Sequence, residues 1–273
     1  MRNSLHHVGR ARRRSRLRPG LTVLVALPLL ILALAIAAGN TGNPGAPAAS
    51  SASPAASAVA TPEATAASPG ASAAASPAGS ASALLATLPV KGKAAKTGYD
   101  RTGEFGSAWR DVDRNGCDTR NDILARDLTV IVTSGPCKVM SGQLLAPYTG
   151  RTVAFVRGET TSTLVQIDHL VALSNAWQTG AQQLTQDQRI ALANDPVNLL
   201  ASDGASNSQK SDGDAATWLP AASSFRCEYV ARQISVKAAY GLWVAPAEHD
   251  AMARVLAACP DQQAYADTPA PAF

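Results

Sequence analysis

QIDHLVALSNAWQTG, residues 166–180, sets a carboxylate and an imidazole side by side at the end of an apolar run. The run, STLVQIDHLV at 162–171, is rich in apolar and β-branched residues and reads as a strand. LSNAWQTG then reads as a turn or two of helix stopping at Gly180. Neighbouring residues on a strand point to opposite faces, so Asp168 and His169 can serve one site only where the strand ends and the backbone turns. The pattern places them at such an end. Of the four histidines in the chain, His6 and His7 lie near the N-terminus. His249 falls in PAEHDAM on a predicted helix and reads as a solvated side chain. His169 is therefore the imidazole to explain.

Outward from this stretch the pattern alternates between short strands and helices. TRNDILARD (119–127) reads as a short helix, and LTVIVTSG (128–135) as a strand that stops at Gly-Pro. KVMSGQLL (138–145) and RTVAFVRG (151–158) are further strands, separated by the turn-like APYTG. TQDQRIALAND (185–195) is a helix whose Thr185 and Gln188 form a capping-box pattern, with Pro196 just beyond its end. NLL (198–200) is a short strand, followed by the polar GASNSQKSDGD as loop or short helix. Two helices close the chain. The fold class is α+β with small sheets, and no internal repeat is visible.

This domain is expected over 84–273. Residues 1–18 carry seven arginines and no acid, and 21–39 are apolar on every helical face. Together 1–39 read as a secretory signal peptide, with an uncleaved membrane anchor as the alternative. Either way the arginines stay cytoplasmic and the rest is exported, secreted or tethered outside the cell. Residues 40–83 are Ala, Ser, Pro, Gly and Thr with almost no large apolar side chain, which reads as a disordered linker. Export changes the charge argument. Removing the seven N-terminal arginines from 24 basic residues leaves 17 against 20 acids, a net charge of −3. The overall +4 therefore says nothing about a nucleic-acid partner, and a polyanion would have to be held by a local site. Contact with membrane is expected only through the N-terminal segment, and there is no oligomer signal.

Four cysteines lie in the exported part, an even count that favours two disulfides. Three pairings exist; Cys117–Cys137 with Cys227–Cys259 is preferred. A helix over about 223–240 ends at Gly241, and another starts near Pro246 and ends before Pro260. If the two pack antiparallel, Cys227 and Cys259 meet at one end.

Asp168-His169, Asn198 and the polar run containing Asn207 and Lys210 make a chemical set. Phosphodiester hydrolysis needs a deprotonated water and a cation to neutralise charge on the phosphate and leaving oxygen. An imidazole suits the first task. Asp and Asn oxygens suit Mg²⁺ or Mn²⁺ for the second. DHL, NLL and SNSQK together resemble the HNH, or ββα-metal, nuclease motif. The likeness is to the branch found at the C-terminus of GmrSD-type restriction enzymes and in exported bacterial HNH-family proteins. It extends over much of 99–259 through YDRTGEFGSAW, DRNGCDTRNDIL, AWQTGA, ANDPVNLL, NSQKSD and WLP. The resemblance implies an HNH endonuclease with a ββα core and extra strands and helices. It implies His169 as general base, Asp168 and Asn207 as ligands of one divalent metal, Asn198 as the brace of the loop carrying His169, and Lys210 as a phosphate contact. Its substrate would be nucleic acid, DNA before RNA. Asn207 stands where many members have His, which favours hard metals over zinc.

DVDRNGCDTRND (111–122) poses a separate question. Asp111, Asp113, Asn115 and Gly116 match the start of a calcium loop, but its twelfth position is Asp122 where Glu is usual. Calcium at this second site, a metal-free Asx-rich turn, and part of the nuclease cleft all stay open; in the last case Arg120 is a candidate phosphate clamp. Two other functions are weighed: a non-enzymatic stalked surface module that binds calcium through 111–122, and another extracellular phosphoester hydrolase using the same metal site.

Overall fold

The computed structural model describes residues 79–265; the apolar segment 21–39, linker residues 40–78 and residues 266–273 lie outside that range. Among the described residues no helix is long and apolar enough to cross a membrane. In chain order the elements are α1 (Ala81–Leu85), α2 (Arg101–Phe105), α3 (Thr119–Asp127), β1 (Thr129–Ser134), β2 (Lys138–Ala146), β3 (Arg151–Val156), β4 (Val165–His169), α4 (Leu173–Gln178), α5 (Gln186–Asn194), β5 (Leu199–Asp203), α6 (Gly204–Lys210), α7 (Arg226–Ala239) and α8 (Pro246–Leu256). This is the expected α+β class. Two elements, α1 and α2, escaped the sequence pattern. Each has five residues, too few to show a helical period. Because α1 buries Ala81 and Leu85, the fold begins ahead of the boundary expected at residue 84.

The strands form two antiparallel sheets, β1-β2-β3 and β4-β5. In the β2–β3 hairpin Ala146 pairs with Arg151, and the chain reverses at Gly150, whose φ of +70° suits a residue without Cβ. This turn delivers Tyr148 into the core. Its ring lies edge-on to Trp218 at 4.9 Å and to Tyr229 at 5.9 Å, contacts that contribute about 1 kcal/mol each beyond area burial. They fasten the hairpin turn to α7.

α5 begins as its sequence indicates: Thr185 Oγ1 accepts from Gln188 N–H while Thr185 N–H donates to the Gln188 side chain. α7 ends with Gly241 at φ +60° and Leu242 N–H bonded back to Lys237 O at 2.8 Å, the usual glycine-terminated helix end. α8 packs on α7, and Cys227–Cys259 joins them; Cys117–Cys137 ties the segment before α3 to the start of β2. At the two limits of the described region, Ala81 N–H donates to Gln262 O at 2.8 Å and Ala264 N–H to Gly79 O at 3.0 Å.

Candidate active site

β4, β5 and α6 are the two strands and helix that position the site. β4 pairs with β5 so that Asp168 faces Leu200 and His169 faces Leu199. The strand stops at His169, where Leu170 N–H turns to Asn198 O at 2.8 Å. Asp168 and His169 consequently line one cavity of about 210 Å³ together with Arg101, Asn207, Ser211 and Asp212. α6 starts with Asp203 capping Ser206 N–H at 2.9 Å. It lies so close to the approach of β4 that a Cβ on Gly204 would stand 2.2 Å from Thr163 O, so only glycine fits there.

His169 is buried and held by its ring. Nε2 donates to Ala193 O at 2.8 Å, which fixes the neutral tautomer with its lone pair on Nδ1. Nδ1 lies 3.5 Å from an Arg101 guanidinium nitrogen. The Trp109 ring is nearly parallel to the imidazole, with centroids 6.1 Å apart. Burial first, then the Arg101 and Lys210 charges, push the imidazole down to about 3, against a smaller upward pull from the Ala193 carbonyl. The ring is therefore neutral at ordinary pH and can accept a proton at Nδ1.

Asn198 is fully buried and hydrogen-bonded through both ends of its amide. Its Oδ1 accepts from Val171 N–H at 2.8 Å, and its Nδ2 donates to Leu192 O at 3.2 Å and Val171 O at 3.4 Å. One amide thus links the chain leaving β4 to the end of α5, one residue from the carbonyl that anchors His169.

Asp168 accepts from the Tyr148 hydroxyl at 2.5 Å and lies 3.1 Å from Lys210 Nζ. Burial and the neighbouring carboxylate hold the phenol protonated far up the pH scale, so Tyr148 remains a donor. Lys210 overturns its sequence reading as a phosphate contact. Its side chain is 0% exposed, and its ammonium is spent on Asp168 and, at 2.8 Å, on His169 O. Helical side chains lean toward the helix N-terminus, so a lysine in the last turn of α6 reaches back over β4 instead of out to solvent. Asn207 donates through Nδ2 to Gln166 Oε1 at 2.8 Å, which leaves the amide oxygen as its donor to a cation.

Arg120 is not brought to this cavity. It is half-buried on α3, and its guanidinium donates to Val165 O at 3.3 Å, at the other end of β4 from His169. Burial, followed by the nearby Arg157 charge, lowers its pKa. The cation that does face the imidazole is Arg101, at the start of α2. It lies within YDRTGEFGSAW, but nothing local in the sequence distinguished it from a surface arginine.

In the 111–122 loop the oxygens fold inward on the backbone. Asp111 accepts from Asn115 and Gly116 N–H, Asp113 accepts from Asn115 N–H, and Asn115 accepts from Cys117 N–H. This is the Asx-rich turn arrangement. Asp122 is nevertheless raised, by burial first and then by Asp113, Asp118 and Asp111.

The cavity donors fit a hard divalent cation: carboxylates from Asp168 and Asp212 and the Asn207 amide oxygen. Among the described residues no three His, Cys, Asp or Glu side chains converge as a metal cage. A cation there would complete its shell with water and substrate.

Residues 118–255 match the family described as GmrSD restriction endonucleases, C-terminal domain. A protein of Arthroderma benhamiae (strain ATCC MYA-4681 / CBS 112371), described as an uncharacterized secreted protein, is 36% identical over 181 residues, covering 66% of this chain and 84% of that one. The kinship thus reaches beyond the bacterial proteins named from sequence. No solved structure matches.

Proposed function

We propose, from the premise that the chain belongs to the family of GmrSD restriction endonuclease C-terminal domains, that it is an exported, metal-dependent HNH endonuclease hydrolysing phosphodiester bonds in DNA. The observation that carries this reading is the imidazole of His169. It is neutral, anchored through Nε2, and shares one cavity with Asp168, Asn207 and Arg101.

Arg101 binds and orients the scissile phosphate beside His169 through its planar guanidinium. Nδ1 of His169 takes a proton from the attacking water, while the Ala193 carbonyl keeps the positive ring aligned. Burial is the main cause that holds the imidazole low; a phosphate on Arg101 offsets the second, the Arg101 charge, and so raises it. Asp168 and Asn207 would hold Mg²⁺ or Mn²⁺, which when bound supplies neutralisation of charge on the phosphate and the leaving 3′-oxygen. Export rests on the N-terminal pattern, the two disulfides and the secreted relative. Calcium binding by 111–122 stays a separate proposal, since the loop oxygens are turned to their own backbone; its readout is a calcium-dependent rise in melting temperature that Asp113→Asn removes.

The direct experiment is nicking of supercoiled plasmid with Mg²⁺ or Mn²⁺, stopped by EDTA. His169→Ala should slow cutting by about 10²–10⁴-fold with an unchanged circular-dichroism spectrum. Cutting by that variant at the parent rate would remove His169 from the mechanism.

A further inference from the structure

The charges around the cavity bear on how the cation arrives. Asp168 shares its carboxylate with the Lys210 ammonium at 3.1 Å, and Asp212 is paired with Lys96 at 2.8 Å. Arg101 lines the cavity as a second cation beside Lys210, while Lys96 is half-exposed outside it. The two carboxylates of the cavity are therefore balanced by Lys210 and Arg101, which leaves no net negative charge in the place where a dication is to bind. Lys210 cannot swing aside to relieve this. Its side chain is fully buried, and its second hydrogen bond fastens it to His169 O. A phosphodiester bound on Arg101 brings the missing negative charge.

We infer that Lys210 neutralises the metal-binding carboxylate so that the cation is taken up with the nucleic acid and not before it. This deepens the endonuclease reading and rests on it. Lys210 acts here as a positioning residue through Asp168. The coupling is reciprocal: cation tightens nucleic acid by the factor with which nucleic acid tightens cation. Tyr148 grips the same carboxylate without a charge, so it separates geometry from electrostatics.

The test is calorimetric titration of Mn²⁺ into the purified chain, counting only the binding that Asp168→Ala removes, with and without a short phosphorothioate oligonucleotide. Binding to the chain alone should be weak, and the oligonucleotide should tighten it at least about 10-fold. Lys210→Met should tighten the oligonucleotide-free binding by a similar factor, whereas Tyr148→Phe should not. Because Lys210→Met strands a buried carboxylate and can fail to fold, its melting temperature is also followed against Mn²⁺; a steeper rise than in the parent gives the same support. Parent-like Mn²⁺ affinity in Lys210→Met, or binding to the chain alone that the oligonucleotide does not tighten, overturns the inference while the endonuclease reading stands. No Asp168-dependent binding under any condition, together with no nicking, removes both.

Discussion

Replacing Asn198 with Asp changes one buried NH₂ into an oxygen and little else. The acceptor toward Val171 N–H survives. The donor toward Leu192 O and Val171 O is lost, and the new oxygen faces both carbonyls. Two buried carbonyls without a partner cost about 1–3 kcal/mol each, the longer 3.4 Å contact at the low end. Roughly 3–5 kcal/mol is therefore expected at pH 8, a large share of a typical domain's stability. The sign with pH follows from burial. The introduced carboxyl has its folded pKa raised above the unfolded value of about 3.9, so the unfolded state ionises first and stability falls as pH rises between the two. At pH 5 the protonated acid donates to one carbonyl and about half the loss returns. Urea denaturation at pH 5 and 8, beside nicking assays, measures both. Activity should fall further than stability explains, because Leu192 adjoins the carbonyl that aligns His169. A variant that unfolds at the parent urea midpoint at pH 8, or that is destabilised but still cuts at the parent rate when folded, refutes the bracing role.

His169 itself makes stability acid-sensitive. Its folded pKa, pushed down to about 3, lies below the unfolded value of about 6.5, so the unfolded state binds the proton first and up to ~4 kcal/mol is lost as pH falls through that window. His169→Gln should flatten this slope in denaturation curves. Asp195 works oppositely: burial raises it to about 6, against backbone hydrogen bonds that lower it, so stability falls as pH rises from the unfolded value of about 3.9 through 6. Asp195→Asn should gain about 1–3 kcal/mol at pH 8 and almost nothing at pH 4, measured as the shift in urea midpoint. Replacing Cys227 and Cys259 with Ala should cost about 3–4 kcal/mol, as expected for opening a loop with a sequence separation of 32; an unchanged thermal midpoint would deny that cross-link a stabilising part.

The framework of the site was legible where local chemistry dictates structure. Thr185 and Gln188 announced the start of α5, the apolar run ending at His169 announced β4, and Gly241 with Pro246 announced the α7–α8 turn. Asn198 was singled out by the family resemblance alone, since an amide beside a strand end reads locally as an ordinary turn or edge residue. Lys210 was misread because residue type points lysine to solvent, whereas its direction depends on α6 packing over β4. Arg101 was passed over because its meaning comes from its distance to His169, 68 residues away in sequence, which no local pattern encodes. Arg120 failed for the converse reason: its neighbourhood resembled the family, but its side chain serves the far end of β4.

The pairing of Gly79–Ala81 with Gln262–Ala264 brings the entrance and exit of the domain side by side. A cell-surface stalk fused at either end would hold the catalytic face at the same orientation. A short bridge across that seam would also leave room to cut the circle elsewhere, for instance in the exposed β1–β2 bend, and so build a permuted enzyme whose tether can be moved at will.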